Sequence, residues 1–353
     1  MNLKHAILAA LVLTLANAQA QTTNIVEGGD LRLPENWSNG LPVGQTGVVA
    51  RNATISSGTA DFVGWNLVVK NGATIIDHCL KTTFGEVIGS SLVIENGGRY
   101  DRVGGHRFSG TTTTINGRYK GMNTFVVNDG NSPSDTIITV NANGFLEATK
   151  YKVKASAYSS VLNIAGGIAN FSANLDVRQS TGANYINVTD GGTLSFGLLG
   201  FASNTNSVDN IITLNDGALL SDDFEAVLDG ETQNSYINFT DESTASWTWT
   251  GATAADFEAA WANNSLQHAG ISACDDADFY DHFEVTGDTV VAIPEPGTLG
   301  LAAFCSVGLS SSVDVFLPDS PLRGKPSPHQ RRPNPAQTGS CSGRETERAE
   351  RAM

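Results

Sequence analysis

A short pattern recurs eight times along this chain at a near-constant interval: apolar, polar, apolar, two polar residues, then glycine or another turn residue. The apolar pairs are Leu67/Val69, Leu92/Ile94, Thr113/Ile115, Ile138/Val140, Leu162/Ile164, Ile186/Val188, Ile212/Leu214 and Ile237/Phe239. Thr113 is the one polar residue among these sixteen positions. The turn residues Gly72, Gly97, Arg118, Asn143, Gly167, Gly191, Gly217 and Glu242 follow at spacings of 25, 21, 25, 24, 24, 26 and 25. Alternation with period two in β-branched residues means strands with one buried face. The turns carry Asn71-Gly72, Asn96-Gly97, Gly166-Gly167, Asp190-Gly191 and Asp216-Gly217, where glycine allows the positive φ of a sharp corner. No run between residues 50 and 250 has helical spacing. A helix-free repeat of this length is one rung of a stacked coil. The expected fold is all-β: a right-handed parallel β-helix of about eight rungs. Turn signals at short intervals also suit a sandwich of antiparallel hairpins, but the constant phase favours the solenoid.

Such a coil needs capping at both ends, because its terminal rungs otherwise expose apolar core and strand edges. Residues 21–50, with Asn36-Trp37-Ser38-Asn39-Gly40-Leu41-Pro42, are the N-terminal cap expected ahead of repeats spanning 51–250. The C-terminal cap is expected over 251–293. There Thr253 opens a short helix with Asp256 reaching back, and Phe257 and Trp261 share its buried face. A final hairpin over His282–Ile293 turns at Gly287-Asp288. Trp247 and Trp249 alternate on one strand face, suited to core or cap and, as a sharper alternative, to stacking on a sugar.

The two ends differ in character from the middle. Lys4, the apolar run Ala6–Ala16 and the small-residue sequence Ala16-Asn17-Ala18-Gln19-Ala20 read as a secretory signal over residues 1–20. The run is too short to span a bilayer. Export permits disulfides, and Cys79 and Cys274 are a possible pair, with a free buried thiol as the alternative. Eight of the eleven prolines fall after Ile293. Residues 319–353 carry a net +3, which with the signal's +1 leaves −19 on residues 21–318 of a chain whose total is −15. A body this acidic excludes nucleic acid as a partner. The basic, proline-rich segment 310–353 reads as a disordered tail.

Ile293-Pro294-Glu295-Pro296-Gly297-Thr298-Leu299, followed by Gly300–Leu309, resembles the PEP-CTERM sorting signal of exported bacterial proteins. The resemblance implies that Pro294, Glu295 and Pro296 are recognised by a membrane-embedded exosortase, and that 294–309 is the sorting segment and start of an anchor. Membrane contact would come through that anchor alone. The rung region resembles in style the β-helix passengers of autotransporters. The end departs from the sorting pattern: the apolar run Gly297–Leu309 has 13 residues before Ser310–Ser312 and Asp314 break it, where a spanning helix needs about 20. Arg331-Arg332 comes late and further residues follow, so a shifted reading frame near Ser310 is expected.

No zinc-protease, nucleophile-elbow, phosphate-loop or dinucleotide signature is present, and no cofactor is expected. Three constellations bear on chemistry. Asp77-His78 and Asp101, Arg102, His106 and Arg107 lie about one period apart and could stack on one flank. Carboxylate, imidazole and guanidinium there would serve a polysaccharide hydrolase or lyase, although solvated loop charges are the simpler expectation. Asp275, Asp276, Asp278, Asp281 and His282 offer oxygens to Ca²⁺, yet lack the ligand order of an EF-hand and read as an acidic surface loop. The residues between the apolar pairs point outward: Thr114, Thr139, Asn163, Asn187, Thr213 and Asn238, after Val68 and Val93. They form a ladder for cross-rung hydrogen bonds or a flat, weakly polar face for a repeating partner such as a polysaccharide. The expected role is a non-catalytic surface or matrix protein, exported from a bacterium, with a β-helix polysaccharide-degrading enzyme or a glycan-binding module as alternatives.

Overall fold

The computed structural model describes residues 21–62, 64–79, 81–85, 90–128, 134–154, 157–176, 182–200, 209–225, 235–240 and 244–293. The expected signal peptide (1–20), sorting segment (294–309) and basic tail (310–353), with Glu242, Cys305 and Cys341, lie outside them. The described body is a parallel β-solenoid of about eight turns.

Every repeat strand falls in one face, an eleven-stranded sheet in which each strand pairs with the corresponding strand of the next turn. Its register matches the repeat. Leu67 pairs with Leu92, Leu92 with Thr113, and Thr113 with Ile138. Ile138, Leu162, Ile186, Ile212 and Ile237 then follow one above another. All these side chains are buried, as are their partners two residues on. Thr113 belongs to the same interior column despite its hydroxyl. The stack continues past the repeats, with Gln21–Thr23 and Thr46–Val49 pairing in parallel ahead of Asn66–Val69. Leu266–His268 follows Ser235–Phe239 at the other end. Eleven strands at a spacing of about 4.8 Å make a face roughly 48 Å long.

Two further faces complete each turn. The second stacks Thr74–Asp77, Arg99–Arg102, Arg118–Gly121 and Phe145–Ala148. The third stacks Thr59–Phe62, Lys81–Gly85, Gly105–Ser109, Thr124–Val127 and Lys150–Val153. Later in the chain these faces fuse into single long strands, Ile168–Asp176, Thr193–Gly200 and Ala218–Glu225. Between them the faces enclose one continuous apolar core.

Glycine at the corner after the first face does more than supply positive φ. Asn143, Asp190 and Asp216 take the left-handed conformation themselves, at φ of 69°, 55° and 55°, as short polar side chains tolerate. A glycine one or two residues on is needed because backbones of adjacent turns approach closely. A Cβ on Gly144 would lie 2.1 Å from the Ile115 carbonyl oxygen, and one on Gly192 would lie 2.4 Å from that of Ile164.

Both expected C-terminal features form. Helix α1 spans Ala254–Ala262; the Asp256 carboxylate accepts from the Thr253 backbone N–H at 2.8 Å and from its hydroxyl at 2.7 Å. Phe257 and Trp261 are buried on one side of it. Phe283–Thr286 and Thr289–Ala292 form the hairpin, with Gly287 at φ 63°, and its second strand pairs antiparallel with Ser246–Trp249. Trp247 and Trp261 serve the core: both are buried, and the Trp247 indole N–H donates to Ser221 Oγ at 3.0 Å. At the opposite end the indole N–H of buried Trp37 donates to the Leu31 carbonyl at 2.7 Å.

Candidate functional site

Alternation along the first face fixes what it shows to solvent. In Thr136–Asn141, residues 136, 138 and 140 point inward and 137, 139 and 141 outward. The ladder expected from the sequence stands in register: Thr114, Thr139, Asn163, Asn187, Thr213 and Asn238 pair in succession, all half-buried. Asn187 Nδ2 donates to Asn163 Oδ1 at 2.8 Å, and Asn238 Oδ1 accepts from the Gly270 backbone N–H at 3.1 Å. Cross-rung hydrogen bonding is therefore part of the ladder's work.

Beside it runs a column that sequence reasoning missed. Ile137, Val161, Tyr185, Ile211 and Tyr236 pair in succession one residue ahead of each interior apolar position. Its signal lay in the repeat, since an apolar residue precedes each pair from Ile138 onward. On the ladder's other side stand Asn116, Asn141, Ala165, Thr189, Asn215 and Thr240. Asn141 Nδ2 donates to Asn116 Oδ1 at 2.8 Å and Thr240 Oγ1 to Asn215 Oδ1 at 3.0 Å. With Thr112, which pairs with Ile137 from one turn earlier, these three outward columns hold eighteen residues across the six turns from Thr112 to Thr240, none of them charged.

Charge is displayed on the second face, and on the first face only in its earlier turns, where Lys70 and Glu95 pair in the column that Asn116 continues. Arg99 pairs with Asp101 at 2.6 Å, and Arg118 and Lys120 both reach Glu147 at 3.3 Å. A second polar column is hidden inside the first face: Ser160 Oγ donates to Asn184 Oδ1 at 2.7 Å, Asn184 Nδ2 to Asn210 Oδ1 at 2.6 Å, and Asn210 Nδ2 to Ser235 Oγ at 3.0 Å. All four are buried.

The flank considered for catalysis divides between inside and outside. Asp77 and Arg102 sit on adjacent turns in register, as one period predicts, but both side chains are fully buried. The expectation of solvated loop charges fails for them. Their ion pair is enclosed by hydrogen bonds: Tyr100 Oη and Thr82 Oγ1 donate to Asp77 Oδ2 at 2.9 and 2.8 Å. Arg102 also donates to Thr82 Oγ1 and to the carbonyls of Cys79, Gly104 and Gly105. His106 is buried too, its Nδ1 2.5 Å from Tyr119 Oη, stacked against Tyr100 and Tyr119. Burial, then the neighbouring Arg102 charge, holds its imidazole well below the usual histidine range. Burial pushes the Tyr100 and Tyr119 phenols up. His78 is exposed, and Asp101 and Arg107 are half-buried. Asp77 and Arg102 thus form a closed interior network, with His106 buried beside it on Tyr119 and Tyr100, rather than a solvent-facing acid–base set.

Cys79 is a buried free thiol and does not pair with Cys274. In the acidic segment, Asp275 accepts from Ser272, Asp276 from the Asp278 N–H, and Asp278 from the Tyr280 N–H. The Asp276 carboxylate also lies 3.4 Å from His282 Nε2. These carboxylates close local turns, and among the described residues no group of three His, Cys, Asp or Glu is arranged to hold a metal. The fold and its outer face define a parallel β-solenoid presenting a flat, uncharged ladder. No protein-family model, curated protein or solved structure matches this chain.

Proposed function

We propose that this is an exported, non-catalytic protein of the bacterial cell surface or extracellular matrix, whose rod offers its first face for adhesion or packing. The observation carrying this reading is the unbroken outward ladder from Thr114 to Asn238, flanked over those six turns by uncharged columns on an otherwise acidic body. A repeating surface of hydroxyls and amides suits a repeating partner. The burial of Asp77 and Arg102 in their own hydrogen-bond network, and of His106 against Tyr119, weighs against the polysaccharide-degrading alternative, whose acid and base must reach substrate. The hydroxyl and amide ladder favours the glycan-binding module as the second reading.

Sorting is the other half of the proposal: Pro294-Glu295-Pro296 is the recognition motif for an exosortase-type enzyme, after export directed by residues 1–20. The full chain, expressed in a bacterium that carries such an enzyme, tests it. Intact-mass measurement is expected to find the chain trimmed after the signal and near the motif, with the body accessible to protease on whole cells. Changing Pro294→Ala, Glu295→Ala and Pro296→Ala together is expected to abolish the C-terminal trimming. A chain retained inside the cell, or trimmed equally with and without the motif, would overturn it. Release of sugars from neutral or acidic polysaccharides by the purified chain, lost in Asp101→Asn, would overturn the non-catalytic reading.

A further inference from the structure

We infer that the first face binds an extended, uncharged β-linked polysaccharide lying along the rod axis, with Tyr185 and Tyr236 as stacking platforms. This rests on the reading of that face as a ligand surface and names its ligand. The first argument is charge. Eighteen outward positions over six successive turns carry none, while the body around them holds −19 and the second face is lined with ion pairs. Along these six turns an acidic polysaccharide would be repelled by the body without meeting a cation in the three columns, and a cationic partner would find no carboxylate in them; the Lys70–Glu95 ion pair lies beyond them, in the earlier turns of the same face. A neutral polymer meets neither cost.

The second argument is spacing. Tyr185 pairs with Ile211 and Ile211 with Tyr236, so the two tyrosines stand at matching positions two strands apart, about 9.6 Å along the axis. That is close to the length of one disaccharide in an extended β-1,4-linked chain, so alternate sugars of one polymer would meet successive rings. Ile211 fills the interval between the platforms without polar atoms. Tyrosine presents an apolar ring to the face of a sugar and a hydroxyl to its edge. The third argument is the neighbouring column: Asn187, Thr213 and Asn238 stand beside Tyr185, Ile211 and Tyr236 in the same strands, offering donors and acceptors to equatorial hydroxyls at the strand repeat.

The test uses the full chain with cellohexaose and microcrystalline cellulose as neutral probes and alginate as the acidic one. Cellohexaose is expected to bind, and Tyr185→Ala with Tyr236→Ala to weaken it roughly tenfold or more. Tyr185→Phe with Tyr236→Phe, which keeps both rings, is expected to retain most of the affinity. Asp101→Asn on the second face is expected to change nothing. Circular dichroism and the urea midpoint verify that each variant is folded, as outward positions allow. The inference falls if folded protein ignores cellohexaose, if the alanine pair binds as well as wild type, if alginate is preferred, or if sedimentation finds the tyrosine face buried between two copies of the chain. Export and trimming are measured separately, so a surface-held chain that fails here leaves the adhesion reading standing.

Discussion

Thr113 is the one polar residue in the two columns formed by the apolar pairs, packed between Leu92 and Ile138 with a hydroxyl that finds no hydrogen-bond partner. A buried unpaired hydroxyl costs about 1–3 kcal/mol. Thr113→Val keeps the branched shape and is expected to raise stability by about 1 kcal/mol, read as a higher urea midpoint at unchanged slope. His106 makes the opposite kind of demand. Its folded-state pKa is depressed by burial and by Arg102, whereas in the unfolded chain it titrates near 6.5. Below about pH 6.5 the unfolded chain therefore takes a proton that the folded chain refuses, and stability falls as pH drops from 7 towards 5. The slope contributed approaches about 1.4 kcal/mol per pH unit. His106→Phe, which can still stack against Tyr100 and Phe108, is expected to remove about one proton's worth of that slope in urea titrations at pH 7, 6 and 5. An unchanged slope would mean that His106 is already charged in the fold.

At the scale of the element, the corner between the first and second faces is the most constrained piece of the repeat. Its glycine column exists because adjacent turns touch backbone to backbone, and Gly144 is the tightest case. Gly144→Ala is expected to cost about 3 kcal/mol, since neither Ile115 nor its turn can move without breaking the ladder on both sides. The check is a lower urea midpoint. The buried column of Ser160, Asn184, Asn210 and Ser235 belongs to this scale too. Each member satisfies the next, so the polar line is stable only when continuous.

Across the whole molecule, the governing problem is the strand edge. Each turn of a solenoid satisfies its neighbours, and the last one is left with unpaired groups. The second face is closed where Thr289–Ala292 pairs antiparallel with Ser246–Trp249, covering Trp247 with Val290, both fully buried. Deleting residues 283–292 is expected to expose that edge and drive self-association, seen as a shift to earlier elution in size-exclusion chromatography at micromolar protein. A deleted chain that stays at the wild-type elution position would show that the hairpin has no closing role.

How much was legible follows from where each signal is carried. Strand identity, the interior column, α1 with its Thr253 cap and the terminal hairpin all follow from residues within a few positions of one another, because alternation, turn chemistry and capping are local. The outward ladder was legible for the same reason, and the apolar column beside it stood at an equally fixed place in the repeat. The fate of Asp77, Arg102 and His106 was not legible. Charge argues for water, yet Asp77 follows Ile75 at the inward parity of its strand, and it is buried because the next turn brings Arg102 and Tyr100 to it. The sequence by itself determined the period, the faces and the residues that point inward, since a repeating strand pattern can bury its apolar side only by stacking on itself. Only the tertiary structure decided which charges could be dehydrated and which surface stayed neutral, because those depend on partners one full turn away.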